Sequence, residues 1–106
     1  MTKYIIKASY TAEGVKGLLK SGGISRKRAI DKMVKDLGGK LESFYYAFGD
    51  HDVYAIYSVP DTATAAAIAL SINASGLVSI STTVLVDPEE IDKAKDISVT
   101  YRTPGK

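Results

Sequence analysis

Cysteine and tryptophan are missing from this chain, and histidine occurs only once. Without cysteine, neither a disulfide nor a thiolate nucleophile is possible, which suits a reducing compartment. One histidine and no thiol leave too few of the ligands that zinc or iron prefers, so neither a metal nor a cofactor is expected. Charge of one sign is also lacking. Lysine plus arginine number 14 against 12 acids, a formal +2, and no basic-aromatic motif accompanies them, so nucleic acid is not an expected partner. No long apolar run is present. The most apolar stretch, Ala63 to Ala74, is too short and too rich in alanine to span a bilayer. Met1-Thr2-Lys3 leads directly into a strand pattern rather than a signal-peptide core, so a soluble, cytoplasmic protein without a membrane partner is expected. Neither phosphate-loop pattern nor a serine-histidine-acid order is found.

What remains is 106 residues, enough for one domain (1–106) with a real core. The clearest signal lies at its centre. Phe44-Tyr45-Tyr46-Ala47-Phe48 and Val53-Tyr54-Ala55-Ile56-Tyr57-Ser58-Val59 are β-prone runs on either side of Gly49-Asp50-His51-Asp52. They predict a hairpin with strands over Lys40–Phe48 and Val53–Val59, the turn using a positive φ at Gly49. Alternation places Phe44, Tyr46 and Phe48 on one face and Leu41, Ser43, Tyr45 and Ala47 on the other. Neither strand has a cleanly polar side, so both faces of the sheet are expected to be covered.

Around this hairpin the other elements fall into place. Tyr4 to Tyr10 alternates as a first strand. Thr11 to Leu19 gives a helical turn or two, weakened by Gly14 and Gly17. Ser25 is the expected cap of a helix with the stripe Ile30, Met33, Val34, Leu37, ended by Gly38-Gly39, with Arg26, Lys27 and Arg28 toward solvent. Asp61 caps a helix from Thr62 to about Ala74 that is apolar nearly all round. Val78 to Val86 is a fourth strand, and Asp87-Pro88-Glu89-Glu90 starts a helix to about Lys95. Val99-Thr100-Tyr101 suits a short edge strand or arm within a loose tail over about 97–106. The order β-α-β-β-α-β implies an α+β, ferredoxin-like sandwich with a four-stranded antiparallel sheet and helices on one face. The uncovered face then predicts a homodimer or higher assembly.

Tyr10-Thr11 with Gly14, Gly38-Gly39-Lys40, Gly49 with Asp52, Pro60-Asp61, and Gly76 to Leu85 leading to Asp87-Pro88-Glu89-Glu90 together resemble the GYD-domain family. The likeness covers roughly residues 4 to 95, with His51 standing where the family's name implies tyrosine. It implies a fold of the dimeric α/β-barrel type, a group that includes monooxygenases, isomerases and proteins without known activity. A shared fold does not transfer chemistry.

Two groups of residues are candidates for function. In Asp50-His51-Asp52 the imidazole could serve as a general base with Asp52 orienting it, or the segment could simply be a hairpin turn whose carboxylates bind amides. Tyr10, Tyr45 and Tyr54 could line a pocket for a flat or apolar molecule, or fill a core or interface. Thr82, among apolar neighbours, needs a backbone or ligand partner for its hydroxyl. Ser21 to Arg28 could attract an anion at a helix start, or be solvated. The leading expectation is a small homo-oligomer that binds a small molecule or serves assembly or regulation. The alternative is a cofactor-independent enzyme, monooxygenase- or isomerase-like, acting on an aromatic or quinone-like molecule, with His51 and Asp52 as its catalytic pair.

Overall fold

In the computed structural model, which describes residues 1–106, the first strand becomes the spine of the sheet. β1 (Thr2–Tyr10) pairs antiparallel with both β3 (Val53–Val59) and β4 (Val78–Leu85), and β2 (Lys40–Tyr46) pairs with β3, giving the order β2-β3-β1-β4. That is the ferredoxin-like arrangement. The registers Tyr4↔Tyr57, Ile6↔Ala55 and Ala8↔Val53 place alternate residues of β1 and β3 on one face. There they meet Val34, Ala65 and Ile68 to form the buried core.

Between β1 and β2 the chain makes two full helices, where one helix and a weak turn were expected. α1 (Ala12–Ser21) forms despite its glycines because Thr11 caps it, its hydroxyl accepting from the Gly14 amide at 3.2 Å. α2 (Gly23–Asp36) begins two residues before Ser25, which caps nothing. Gly22 instead turns the corner at φ +86°, a conformation only glycine takes without strain. α2 ends as the sequence suggests. Gly38 sits at φ +80° and the Gly39 amide returns to the Val34 carbonyl at 2.9 Å.

β2 departs from simple alternation. A bulge between Leu41 and Ser43 moves Leu41 to the helix-facing side, opposite Tyr57, with Phe44 and Tyr46. The expected grouping of Leu41 with Ser43 and Tyr45 is therefore corrected. The strand also stops at Tyr46, leaving Phe48 outside it and fully exposed. Gly49 does not adopt a positive φ, since the longer loop closes through Ala47 N–H to the Asp52 carbonyl at 2.8 Å.

The second face of the sheet is less apolar than expected. Ile5, Tyr45, Tyr54, Ile56 and Leu85 lie there among Lys3, Lys7, Ser9, Ser43, Ser79, Ser81 and Thr83. Lys3 and Glu42 pair at 3.2 Å across the intervening strand β3. Serine and threonine keep the β-branched or small shape a strand accepts while presenting hydroxyls outward.

α3 (Thr62–Ala74) starts at Asp61, whose carboxylate accepts from the Thr64 amide and hydroxyl at 2.8 and 2.7 Å. Those bonds hold the carboxyl below its usual range, so the cap favours folding at neutral pH and is lost as acid protonates it. Only Ala65 and Ile68 of α3 are buried, so its outer alanines face outward instead of being covered on a second side. α4 (Pro88–Lys95) buries nothing, and Val99–Tyr101 forms no strand. The molecule extends 56 Å along its longest axis, with a radius of gyration of 17.0 Å. A compact chain of this length would have about 13 Å. No helix is long and apolar enough to cross a membrane.

Candidate functional site

A cleft of about 440 Å³ opens between α1, α2, α3 and the end of the sheet. It exists because small residues line its walls: Gly14 and Gly17 on α1, Ala29 on α2, Ser71 and Ser75 on α3. Its apolar surface comes from Leu18, Ile30, Met33, Ile72, Leu77 and Val78. Behind it lies a chamber of about 60 Å³ that shares Tyr10, Arg26, Ile30, Ile72 and Val78 with the cleft. The chamber wall is otherwise aliphatic or aromatic, reaching Ile6, Phe44 and Ile80. A third, more open groove runs between the α1–α2 corner and the hairpin, past Leu19, Tyr46, Phe48 and Asp52. Tyr10 borders all three spaces.

Beside Glu13, Ser21, Ser71 and Ser75, two phenols and one guanidinium are among the polar groups that border these spaces. Tyr46 donates to the Gly23 carbonyl at 3.0 Å. Burial raises the Tyr46 phenol above its ordinary value, the neighbouring Tyr10 phenol raises it further, and the charge of Arg26 pulls it back. Arg26 was expected in solvent; it is half-buried, because α2 turns it toward the cleft one turn before Ile30.

The other sequence candidates scatter. His51 stands on the opposite face of the sheet, its Nδ1 3.3 Å from the Ser9 hydroxyl and its ring edge-on to Tyr54 at 5.8 Å. Asp52 makes no hydrogen bond to it. The Asp52 carboxylate instead accepts from the Tyr10 amide at 2.8 Å, tying the end of β1 to the hairpin loop. Tyr45 pairs with Tyr54 on that same outer face and is largely exposed. Of the four ligand candidates, only Tyr10 borders the cleft; Tyr45, Tyr54 and Thr82 do not. Arg26, Ile30 and Met33 went unnoticed as a set, although their i, i+4, i+7 spacing already places them on one helix face. No group of three or more His, Asp or Glu side chains converges as a metal site would require.

Thr82 faces the helix layer opposite Ile6, and its hydroxyl is buried without a partner. Thr82→Val keeps the branched shape and removes the unpaired group, so it is expected to stabilise the fold by about 1 kcal/mol in urea denaturation. A loss of stability would mean that the hydroxyl bonds a water or ligand.

Comparison with known proteins gives one result. The GYD domain model matches residues 4–94, from the third residue of β1 almost to the end of α4. No curated protein and no solved structure matches the chain. With nearly nine-tenths of its length inside the match, the chain belongs to the GYD-domain family.

Proposed function

We propose that this protein is a homo-oligomer that binds a small, largely apolar molecule in the cleft between its helices and sheet. The cleft itself carries the reading. Its volume of about 440 Å³ falls in the range of small-molecule sites, and its mainly apolar walls carry a few polar groups, Tyr10 and Arg26 among them. Such a gap would be filled by side chains if its only role were to hold the helices on the sheet, because interiors pack to high density.

Assembly is supported by the apolar surface a single chain leaves in water. Ile91, Ile97, Val99 and Tyr101 of the C-terminal arm are exposed, as are Tyr45 on the open sheet face and Leu70 on α3. A two-fold axis would set the arm of each chain against surfaces of the other. Light scattering at micromolar concentration is expected to give at least twice the 11.3 kDa of one chain. A single-chain mass would remove the assembly half of the proposal and leave the cleft.

The cleft is tested with a neutral, environment-sensitive dye such as Nile red. Gly17 borders the cleft and has open space where a side chain would begin, so Gly17→Phe fills the cleft without a backbone clash. The variant is expected to fold as stably as the parent and to bind the dye at least tenfold more weakly. Unchanged dye affinity in a folded Gly17→Phe protein would place binding elsewhere.

A further inference from the structure

Arg26 is the one residue of the cleft whose charge has no answer within the chain. Six ion pairs form, and all six use lysine: Lys3, Lys16, Lys32, Lys35, Lys93 and Lys95. Arg26 takes part in none, although it is half-buried and borders both the cleft and the apolar chamber behind it. Glu13 also borders the cleft, but it is exposed and held by Lys16 at 3.3 Å. A guanidinium stays charged at every pH at which proteins fold, so it cannot relieve its partial burial by losing a proton. It relieves it by meeting an anion.

The shape of the surroundings narrows that anion. There is one cation, not a cluster, and a planar guanidinium matches a planar carboxylate through two parallel hydrogen bonds. A phosphate dianion would need further positive charge, and the cleft supplies none. The rest of the wall is mostly apolar, with Leu18, Ile30, Met33, Ile72 and Val78 among the small hydroxyls of Ser21, Ser71 and Ser75, and Tyr10 borders the same space as a further donor. Resting on the cleft as the binding site, the geometry points to an amphipathic monocarboxylate as ligand, its apolar body in the cleft and its carboxylate on Arg26.

The test compares acids with their neutral counterparts on the same skeleton: 2-naphthoate against 2-naphthylmethanol, and decanoate against decanol, at pH 7. Because the chain has no tryptophan, naphthyl fluorescence anisotropy collected beyond the emission of its tyrosines reads binding, and calorimetry reads the decyl pair. Each acid is expected to bind at least tenfold more tightly than its alcohol. Arg26→Met is expected to bring the acid down to the affinity of the alcohol while leaving the alcohol unchanged, and Arg26→Lys to keep part of the preference. Equal affinities in the unaltered protein, or an acid preference that survives Arg26→Met, would overturn the assignment and leave the cleft as a site for neutral molecules. If no acid or alcohol binds and Nile red binds equally to the parent and to Gly17→Phe, the cleft itself is not the site and both readings fall. The comparison within the unaltered protein decides the question even where Arg26→Met fails to fold.

Discussion

Gly14→Ala is expected to destabilise the protein by about 3 kcal/mol or more, while Gly17→Ala, three residues along the same helix, is expected to stabilise it by about 0.5 kcal/mol. A methyl at position 14 would lie 2.0 Å from the Leu77 carbonyl oxygen and 3.0 Å from its carbon. Both are backbone atoms and cannot swing aside. The same carbonyl accepts hydrogen bonds from the Thr11 amide at 3.0 Å and the Thr11 hydroxyl at 3.2 Å, so pushing it away also loosens the start of α1. Glycine at 14 is what lets α1 lie against the chain entering β4. At position 17 an added methyl meets nothing within 4 Å, so the change acts only through backbone entropy and helix propensity. Urea midpoints of the two variants, measured with the parent, give opposite signs if the contact is real. Equal effects would mean that α1 does not approach Leu77.

These two glycines also show where the sequence could and could not be read. Both look like helix breakers, yet Gly14 records a tertiary contact and Gly17 borders the cleft, and neither fact has a local signature. β1, β3 and β4 were legible because two-residue alternation survives in Tyr4-Ile6-Ala8, Val53-Ala55-Tyr57 and Val78-Ile80. The Asp61 cap and the Gly38-Gly39 stop were legible because their chemistry is local. The bulge after Leu41 was not, since Leu-Glu-Ser has no residue that demands one; the pairing with Tyr57 decides it. Ser25 failed as a cap for a similar reason. The corner depends on the dihedral angles of Gly22, which composition does not encode. Of the site, Tyr10 was recognisable as a strand-end aromatic. The role of Arg26 depends on how α1 and α3 leave space around it, and that is a property of packing.

Tyr57 offers the sharpest separation between a side chain's bulk and its polar group. It is among the most deeply buried side chains, 1% exposed, and its ring stacks on Tyr4 with centroids 5.5 Å apart. Its hydroxyl, like that of Tyr4, is buried with no hydrogen-bond partner. Tyr57→Ala empties the centre of the core and is expected to cost about 3–5 kcal/mol, enough to unfold much of a marginally stable population. Tyr57→Phe keeps the ring and removes only the unpaired oxygen, so it is expected to be neutral or to stabilise by about 1 kcal/mol. A loss above about 1 kcal/mol in the phenylalanine variant would show that the hydroxyl is satisfied by an internal water. Alkaline pH supplies an independent reading. Burial, with the Tyr4 phenol adding to it, raises the Tyr57 phenol above its ordinary value of 10.0. The unfolded chain therefore releases this proton first, and the native state, still protonated, loses ground as pH climbs past 10 toward the raised value. Below that range the two proteins should keep a constant difference in stability. Within that range the parent should fall more steeply than Tyr57→Phe, and parallel curves there would mean that the phenol is as well solvated in the folded protein as in the unfolded chain.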